Sequence, residues 1–415
     1  MSKHVVIVGG GIVGLCSAFF LCEAGCDVTV IDKSDLKSGT SHFNAGYICP
    51  SHFTPLSTPG IIKQGLKWMF NSSSPFYIQP KFNASLLSWL WAFKSSCTTK
   101  LVNKNEPYLR DLCQLSQGLF EELSQHSALA FHYEKKGLLM LCQTAQALEH
   151  ELHTLRRANA LGVGAKEILP TDLKTMEPNV AVDAIGGVYF PNDHHSTPSD
   201  FMTQMKQYLE TKGVQFILNE EVTHFNLKSN QIESVYTSSK NIKADDVVIA
   251  AGTWSAKLLK QLKLKLLLQP GKGYAFESKR ILNISTPSIL VEAKTAVTPM
   301  NGYTRFAGTM ELSGFDTKLR QNRIQAIGSA VEQFYPEITI SKDEMAAANY
   351  GYRPLSPDGM PYIGKPKNFQ NLTVATGHAM IGLTLGPGTG KLISELILDQ
   401  KTSVDLSPYH PNRKF

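Results

Sequence analysis

Apolar and polar residues near the start of the chain are grouped in a way that predicts a strand, a helix and a second strand. Val5–Val8 is a short apolar run rich in β-branched residues, which is typical of a buried parallel strand. Leu15–Ala24 predicts a helix, and Gly25 is placed to end it. A second β-rich run, Asp27–Ile31, is followed by Asp32. The chain therefore begins with a predicted β–α–β unit.

A signal peptide or membrane anchor is the alternative for the same segment. Val5–Cys22 is eighteen residues long and carries no charge, as such segments often do. The segment also contains four glycines, which weaken a membrane helix, and the chain continues directly into another strand pattern. We therefore favour the β–α–β unit.

Strand patterns of the same kind recur far along the chain. Asp245–Ala251 is a buried-strand pattern that leads into a Gly-Thr-Trp turn, and Leu372–Ala375 is another. After the latter come Gly377, Gly382, Gly386, Gly388 and Gly390, with a helix predicted to begin near Gly390. The glycines at both strand ends predict that the backbone there comes close to the same ligand as the first β–α–β unit would bind.

The regions between these strands differ in character. Residues 54–132 are mostly helical in pattern, with Pro55, Pro59, Pro75 and Pro80 near their start, whereas residues 271–340 favour strands. Phe131–Leu141 predicts a hairpin, and amphipathic helices are predicted at Ala145–Leu161 and Ser199–Lys212. Lys257–Leu268 mixes Lys with Leu, which suits a partly buried helix better than a membrane-contacting one.

Composition is that of a globular enzyme, with 42% hydrophobic and 18% charged residues. A chain of 415 residues is too long for one hydrophobic core, so we expect two domains. The seven cysteines are odd in number and none lies beyond Cys142, which indicates a reducing compartment such as the cytoplasm. Cys22 and Cys26 lack a second ligand pair, so no metal site is predicted.

Positive charge is concentrated between residues 60 and 110. This segment has seven basic residues and one acidic residue, Glu106, so its net charge is +6. The net charge of the whole chain is also +6. It also holds Trp68, Trp89 and Trp91. We favour a helical region with a solvated basic face, and peripheral docking on the inner face of a membrane stays open. No nucleic-acid-binding module is present in the sequence, so nucleic acid is not expected as a partner. The basic residues are Lys63, Lys67, Lys81, Lys94, Lys100, Lys104 and Arg110.

The turn after the first strand carries the clearest chemistry. Gly9, Gly11 and Gly14 have the G-x-G-x-x-G spacing, in which the glycines allow a tight turn, close approach to a pyrophosphate, and helix–strand packing. The following helix N-terminus offers free N–H groups to phosphates. Asp32 is placed to bind ribose hydroxyls and argues against a 2′-phosphate. Late in the chain GPGTGK is not a P-loop, because its spacing is wrong and Leu392 stands where Ser or Thr is required.

Four separated stretches resemble the FAD-dependent D-amino acid oxidase superfamily: VVIVGGGIVGLCSAFFL…VTVIDK, DDVVIAAGTWS, GYRPLSPDGMPYIG and ATGHAMIGLTLGPGTG. SHFNAGYICP and PGIIKQGLKWMF…PFYIQP resemble the bacterial D-amino acid dehydrogenase branch most. The resemblance implies FAD and an α/β fold with two discontinuous domains. A Rossmann-like FAD-binding domain is expected from residues 1–50, 151–261 and 346–415. A substrate domain with a mixed or antiparallel sheet is expected from residues 51–150 and 262–345.

The resemblance also implies where the cofactor is held. Asp32 replaces the Glu that is usual for the family, with the same charge. The late Cys that links flavin in sarcosine oxidases is absent, and His42 is one position away from the flavin-linking His of other members, so FAD is expected to be non-covalent. Cofactor contacts are expected at Gly9, Gly11, Ile12, Val13, Gly14, Asp32, Lys33, Ser41, Asn44, Ala45, Gly46, Val222, Gly252, Gly377, Gly382, Leu383 and Thr384.

Relatives of this kind transfer hydride from the carbon beside an amine to flavin N5, while the protein positions the substrate. Arg353, in the G-x-R-P stretch, matches the carboxylate-binding Arg of the family, with a surface ion pair as the alternative. Tyr303 is a candidate for the same carboxylate or a core strand residue, and His52 is the third catalytic candidate. Weaker site candidates are His195, Tyr274 and Glu292.

Three functions follow from these observations. The first is oxidation of a D-amino acid, including cyclic ones such as D-proline or D-hydroxyproline, with a quinone or redox protein as electron acceptor. The second is a glycine or sarcosine oxidase that reduces oxygen. The third is a flavoprotein subunit that mainly binds or assembles. The sequence leaves oligomeric state open.

Overall fold

A computed structural model describes residues 2–63, 65, 75–79 and 84–415 of the chain. Four residues named above, Lys67, Trp68, Pro80 and Lys81, lie outside these described residues. The α-helices with full bounds are α1 (Ile12–Glu23), α2 (Ala84–Ser96), α3 (Thr99–Ser124), α4 (Ala145–Ala160), α5 (Pro170–Met176), α6 (Pro198–Thr211), α7 (Ser255–Gln261), α8 (Gln321–Phe334), α9 (Lys342–Ala346) and α10 (Gly382–Ile397).

The strands are numbered along the chain. The first eleven are β1 (His4–Val8), β2 (Asp27–Ile31), β3 (Tyr47–Ile48), β4 (Phe76–Ile78), β5 (Tyr133–Glu134), β6 (Leu138–Cys142), β7 (Lys166–Ile168), β8 (Gly186–Phe190), β9 (His194–Ser196), β10 (Gln215–Ile217) and β11 (Val222–Lys228). The others are β12 (Gln231–Thr237), β13 (Asn241–Lys243), β14 (Asp246–Ile249), β15 (Gln269–Ser278), β16 (Ser288–Leu290), β17 (Thr295–Met300), β18 (Tyr303–Leu312), β19 (Asn349–Leu355), β20 (Tyr362–Gly364) and β21 (Leu372–Thr376).

A six-stranded sheet is built from the apolar runs that the sequence marks as buried strands. Its order is β10-β2-β1-β14-β21-β20, with every pairing parallel except β20 with β21. The inner strands are covered on both faces, which is why they read as continuous apolar runs. The expected β–α–β unit is present, and its helix begins at Ile12 rather than Leu15 because Gly11 occupies the N-cap position.

The second large sheet has nine strands and is mixed, with parallel and antiparallel pairings. Its main order is β19-β15-β18-β17-β16-β6-β8-β7, and β4 pairs with β18. The combination of a parallel nucleotide-type sheet with a mixed sheet is the expected fold class. The domain bounds stay a prediction, and the sheets do not follow them everywhere. Strands β7, β8 and β19 belong to the mixed sheet although their residues were assigned to the FAD-binding domain.

The hairpin expected at Phe131–Leu141 does not form. β5 pairs with β9, whereas β6 pairs with β8 and β16. Both strands find partners that are distant in sequence, so tertiary pairing overrides the local turn signal. β3, β9 and β5 make a small sheet of their own, as do β11, β12 and β13.

The C-terminal glycines also serve a different purpose from the expected loop. α10 begins at Gly382, eight residues before the predicted start, and contains Gly386, Gly388 and Gly390. A Cβ at Gly386 would lie 2.5 Å from Ile12 Cγ1, and one at Gly390 would lie 2.5 Å from the Cys16 backbone carbon. Gly390 therefore lets the backbones of α1 and α10 approach each other, and Gly386 leaves room for the Ile12 side chain.

No helix in the described part of the chain is long and apolar enough to cross a membrane. In the Lys- and Leu-rich segment, α7 ends at Gln261, and Leu258, Leu259 and Leu262 are buried in the core beside the six-stranded sheet. That segment is accounted for by packing.

Replacing Gly390 with Ala should destabilise the protein by about 1–3 kcal/mol, because the obstructing atoms are backbone atoms of Cys16 and Ser17 that cannot move aside. Gly118→Ala is the matched control, since Gly118 is an exposed glycine of α3 with open space around its Cα. The control should be neutral or stabilising by up to about 1 kcal/mol. Thermal unfolding followed by circular dichroism compares the two. Equal unfolding midpoints for the two variants would show that α1 and α10 can move apart without loss of stability.

Candidate active site

A cavity of about 1040 Å³ lies where the carboxyl ends of four parallel strands meet the mixed sheet. Residues directly after β1, β2, β14 and β21 line it, and so do residues of β15, β18 and β19. This is the position at which open α/β sheets bind their ligands. The described residues include a further set, from the 52–93 region, that closes the cavity with apolar side chains.

The turn after β1 has the geometry that the glycine spacing predicts. Gly9 has a φ of +109°, and a Cβ there would lie 2.6 Å from the Ala250 carbonyl oxygen. A Cβ at Gly14 would overlap the Gly9 carbonyl oxygen, so Gly14 brings helix and strand together. Gly11 differs, because its Cβ would meet only Ser41 Oγ, at 3.2 Å. Gly11 lines the cavity, so its missing side chain leaves space for a ligand.

Asp32 fixes this turn while it lines the cavity. One carboxylate oxygen accepts from Gly10 N at 2.7 Å, and the other accepts from Ser34 N and Ser34 Oγ at 2.8 and 2.7 Å. Each carboxylate oxygen has two lone pairs, so acceptor capacity for a hydroxyl ligand is left on the first oxygen. The same carboxylate can therefore hold the turn and a ribose.

Two helix N-termini reach the cavity. α1 starts at Ile12 and α10 at Gly382, and neither has an acidic residue in its first turn or a cap hydrogen bond from the side chain of its own N-cap residue. Their first residues line the cavity, and the Ile12 N–H donates to Ser41 Oγ at 3.0 Å. The positive ends of both helix dipoles thus favour negative charge in the cavity. The arrangement fits an elongated ligand that carries a pyrophosphate.

The structure brings most of the predicted cofactor contacts to this one cavity. Lys33 lies 3.5 Å above the Trp254 ring, and the Thr384 hydroxyl donates to the Tyr47 carbonyl at 2.9 Å. Gly14, Gly46 and Gly377 are not among the lining residues and act through the backbone, since a Cβ at Gly46 would overlap the Ser196 carbonyl oxygen. The lining residues from the predicted set are Gly9, Gly11, Ile12, Val13, Asp32, Lys33, Ser41, Asn44, Ala45, Val222, Gly252, Gly382, Leu383 and Thr384.

Arg353, on β19, lines the same cavity. Its guanidinium lies flat over Gly273 of β15, where any Cβ would overlap it. Burial lowers the pKa of Arg353 to about 10, so the side chain stays charged at neutral pH. Within the described residues its Nη1 donates to the Thr309 carbonyl at 2.6 Å, and no carboxylate pairs with it. A buried charge of this kind is costly unless it is paired, so the site favours an anionic ligand.

Thr309 is a site residue that no sequence pattern predicts. It has a φ of +61°, which is strained for a β-branched residue, and it sits where the register between β15 and β18 shifts. The irregularity directs its carbonyl to Arg353, while its buried Oγ1 has no hydrogen-bond partner among the described residues. No local sequence pattern predicts such a bulge.

His52 lines the cavity and is linked to a buried acid. His52 Nδ1 and Ser51 Oγ are 3.1 Å apart, and the Ser51 hydroxyl and N–H both donate to Asp193. Burial lowers the pKa of His52 to about 4. Burial also raises the pKa of Asp193 to about 7, against the Ser51 hydrogen bonds that lower it. Ser51 and Asp193 are 142 residues apart, and no local pattern predicts that they meet.

Tyr303 is placed differently from the expectation that it contacts a substrate carboxylate. It is at the start of β18 and does not line the cavity, whereas Ala307–Met310 further along that strand do. At about 3.4 Å per residue, the four residues from Tyr303 to Ala307 span more than 10 Å. The Tyr303 hydroxyl accepts from Arg305 Nη2 at 3.0 Å.

The weaker candidates divide in the same way. Tyr274 lines the cavity and donates to Glu311 at 2.7 Å. Glu292 accepts from the backbone and hydroxyl of Thr144, which caps α4, and His195 is buried outside the cavity lining. His42, the nearest match to a flavin-linking His, is also absent from the lining residues.

One wall of the cavity is apolar. Trp89 and Phe93 of α2 stack with ring centroids 4.9 Å apart, and the Trp89 indole donates to the Leu355 carbonyl at 2.9 Å. These contacts attach α2 to the strand that carries Arg353. The apolar lining residues of this region are Leu56, Ile61, Ile62, Phe76, Ile78, Trp89, Leu90 and Phe93.

Replacing Gly11 with Val should abolish retention of the dinucleotide while the chain still folds. The new side chain meets Ser41 Oγ and otherwise projects into the ligand space, and the φ of −67° at Gly11 is acceptable for Val. The measurements are flavin absorbance per chain and circular dichroism. Gly118→Val, on the exposed side of α3, is the control that should stay yellow. A fully loaded Gly11→Val protein would contradict the cradle.

Comparison with known proteins agrees with this geometry. Residues 4–396 match the DAO family of FAD dependent oxidoreductases. The D-amino acid dehydrogenase of Helicobacter pylori is 32% identical over 402 residues, 96% of each chain. That of Granulibacter bethesdensis is 28% identical over 411 residues, 97% of each chain. The crystal structure of glycine oxidase from Geobacillus kaustophilus has the same fold, with a TM-score of 0.79, 22% identity and complete coverage of both chains. The chain is therefore a member of the DAO family of FAD dependent oxidoreductases.

Proposed function

We propose that this FAD-dependent oxidoreductase is a dehydrogenase that oxidises the Cα–N bond of a D-amino acid. The observation that carries the proposal is Arg353, which lines the cavity of the dinucleotide cradle as a charged guanidinium that no carboxylate of the described residues pairs with. An amino acid carboxylate is the planar anion that such a fork binds best. The relatives named D-amino acid dehydrogenase match nearly the full chain and support the same assignment.

The chain supplies binding and orientation, and FAD when bound supplies the acceptor for the hydride. The α1 N-terminus, Gly11 and Asp32 would hold the pyrophosphate and ribose, and the α10 N-terminus offers N–H groups to the flavin portion. Arg353 holds the substrate carboxylate, which fixes the position of Cα. These contacts place a specific C–H bond in the cavity without any residue having to attack the substrate.

A substrate ammonium must lose a proton before the hydride leaves Cα. His52 is neutral at pH 7, because burial lowers its pKa, and it borders the cavity. Because the Ser51 hydroxyl donates to Asp193, His52 Nδ1 donates to Ser51 Oγ, and Nε2 is the nitrogen that can accept a proton. With its pKa at about 4, the imidazole holds that proton only briefly before solvent takes it up. We propose His52 as the group that receives this proton.

The apolar wall bears on substrate choice. Trp89, Phe93 and their neighbours leave few polar partners for a charged substrate side chain, whose burial would be costly. Neutral side chains, including the rings of D-proline and D-hydroxyproline, are therefore the proposed substrates. The apolar wall and Arg353 together favour a substrate with one carboxylate and an apolar side chain.

A membrane quinone or a redox protein is the proposed electron acceptor. Leu87 and Trp91 are four residues apart on α2 and are 56% and 73% exposed, and Lys94 lies 5.9 Å from the Trp91 ring. Apolar side chains with a neighbouring cation suit contact with an anionic lipid surface. α2 also carries the apolar cavity wall, so this surface and the cavity share one helix.

Replacing Arg353 with Gln should raise KM for a D-amino acid by about 10–100-fold, the value of a hydrogen bond to a charged group, with flavin content unchanged. The corresponding amino acid amide should lose much less, since it has no carboxylate. Gly273→Val should act in the same direction by displacing the guanidinium. Arg280→Gln, which removes the ion pair of an exposed arginine with the partly buried Glu344 away from the cavity, is the control. An unchanged KM in Arg353→Gln would refute the carboxylate assignment.

Anaerobic mixing with D- and L-amino acids should bleach the flavin with the D series, and with D-proline among the fastest. Reoxidation should be rapid with a quinone analogue and slow with oxygen. Stoichiometric hydrogen peroxide would instead indicate a glycine or sarcosine type of oxidase. Failure of the isolated chain to turn over with any artificial dye would favour the subunit role. Bleaching by L-amino acids alone would reject the proposed stereochemistry.

A further inference from the structure

A group of metal-type ligands lies on the small sheet outside the cavity. Glu134 of β5 is the direct register partner of His195 of β9 in an antiparallel pair, so both side chains project from the same face. His132 comes two residues before Glu134 and by the strand period shares that face. The fold thus juxtaposes two imidazoles and one carboxylate from two separate chain segments.

The distances between these groups suit a single ion. His132 Nε2 is 3.5 Å from Glu134 Oε1, and His195 Nε2 is 3.8 Å from Glu134 Oε2. Ligand atoms around a tetrahedral zinc ion are about 3.4 Å apart, given bonds of about 2.0–2.1 Å. One ligand atom from each residue lies within 4.8 Å of the other two. Small side-chain adjustments would therefore complete three-fold coordination.

His132 is already held in the orientation that ligation requires. Its Nδ1 is 2.9 Å from Thr197 Oγ1, which leaves Nε2 for another partner. Thr197 Oγ1 is itself fixed, because it accepts from Asn301 N at 2.8 Å. Metal-binding histidines commonly have the second ring nitrogen bonded in this way.

His195 gives an independent reason to expect a ligand. The side chain is 0% exposed, and neither ring nitrogen makes a hydrogen bond of good geometry within the described part of the chain. A buried polar group left in this state costs about 1–3 kcal/mol.

Two features decide whether and where a metal ion would bind. Lys136 pairs with Glu134 at 2.7 Å, but its side chain is 47% exposed and can turn into water. A second cluster of metal-type ligands, Cys49, His52 and Asp193, belongs to the active-site cavity, where Ser51 already donates twice to Asp193. Within the described residues, His195 has no hydrogen bond of that geometry; it interacts weakly with the Pro299 backbone and lies 3.8 Å from Glu134 Oε2.

We propose that His132, Glu134 and His195 bind one divalent transition-metal ion, with zinc as the best match to two imidazoles and a carboxylate. Water completes the coordination on the side where Glu134 is exposed. The ion would tie β5 to β9, and β9 pairs with β3, whose Tyr47 borders the cavity. The site is structural and stands apart from the oxidation chemistry.

The test uses the FAD-loaded protein, treated with a chelator and then titrated with Co²⁺. Ligand-field absorption of the bound ion is read at wavelengths longer than the flavin bands. The wild type should bind one equivalent, displaceable by Zn²⁺. Glu134→Gln and His195→Gln should each weaken Co²⁺ binding by about 10–100-fold or more. Flavin absorbance shows that each variant is folded, and the half-exposed Glu134 makes Glu134→Gln the safer of the two.

Two controls locate the ion. His153→Gln removes an exposed histidine of α4, and Cys49→Ser alters the cavity cluster. Both should bind Co²⁺ as the wild type does. Absence of binding to the wild type, an unchanged affinity in Glu134→Gln, or an equal loss in either control would overturn the proposal. None of these results depends on the substrate or on turnover.

Discussion

Backbone contact between α1 and α10 is the constraint on which the cofactor half of the molecule depends. The two helices come from opposite ends of the chain, and they approach this closely only because Gly386 and Gly390 carry no side chain. Close packing sets both N-termini at the edge of one cavity, where their dipoles add. A phosphate-bearing ligand in that cavity would offset the repulsion between the like partial charges of the two helix ends. Fold and ligand preference therefore have one physical origin.

The mixed sheet meets this half of the molecule through Arg353. Its guanidinium is supported by the flat backbone at Gly273 and by the carbonyl that the irregularity at Thr309 turns inward. Three neighbouring strands, β18, β15 and β19, thus fix one charged side chain with main-chain atoms. Main-chain support is rigid, so the position of the Arg353 guanidinium depends little on the surrounding side chains.

Sequence reasoning reaches the features that are local in the chain. The β–α–β unit, the role of the first glycines and the identity of the cofactor class follow from short patterns, and the G-x-R-P stretch directs attention to Arg353. Features that depend on distant partners escape it. Asp193 meets Ser51 across 142 residues, Thr309 owes its backbone shape to strand register, and β5 leaves its expected hairpin for β9. The late glycines resemble a loop in sequence because helix propensity alone cannot register the packing of α1 against them.

The apolar wall has a consequence for how such an enzyme can diversify. In the proposed binding mode, Arg353 and the main-chain atoms that support it on β15, β18 and β19 hold the carboxylate. The substrate side chain would face apolar residues from the described part of a separate stretch, 56–93. Mutations in that stretch can alter which side chains are accepted without disturbing the anchor. The part of the site that would select the side chain is thus separate in the chain from the part that would align the reacting bond.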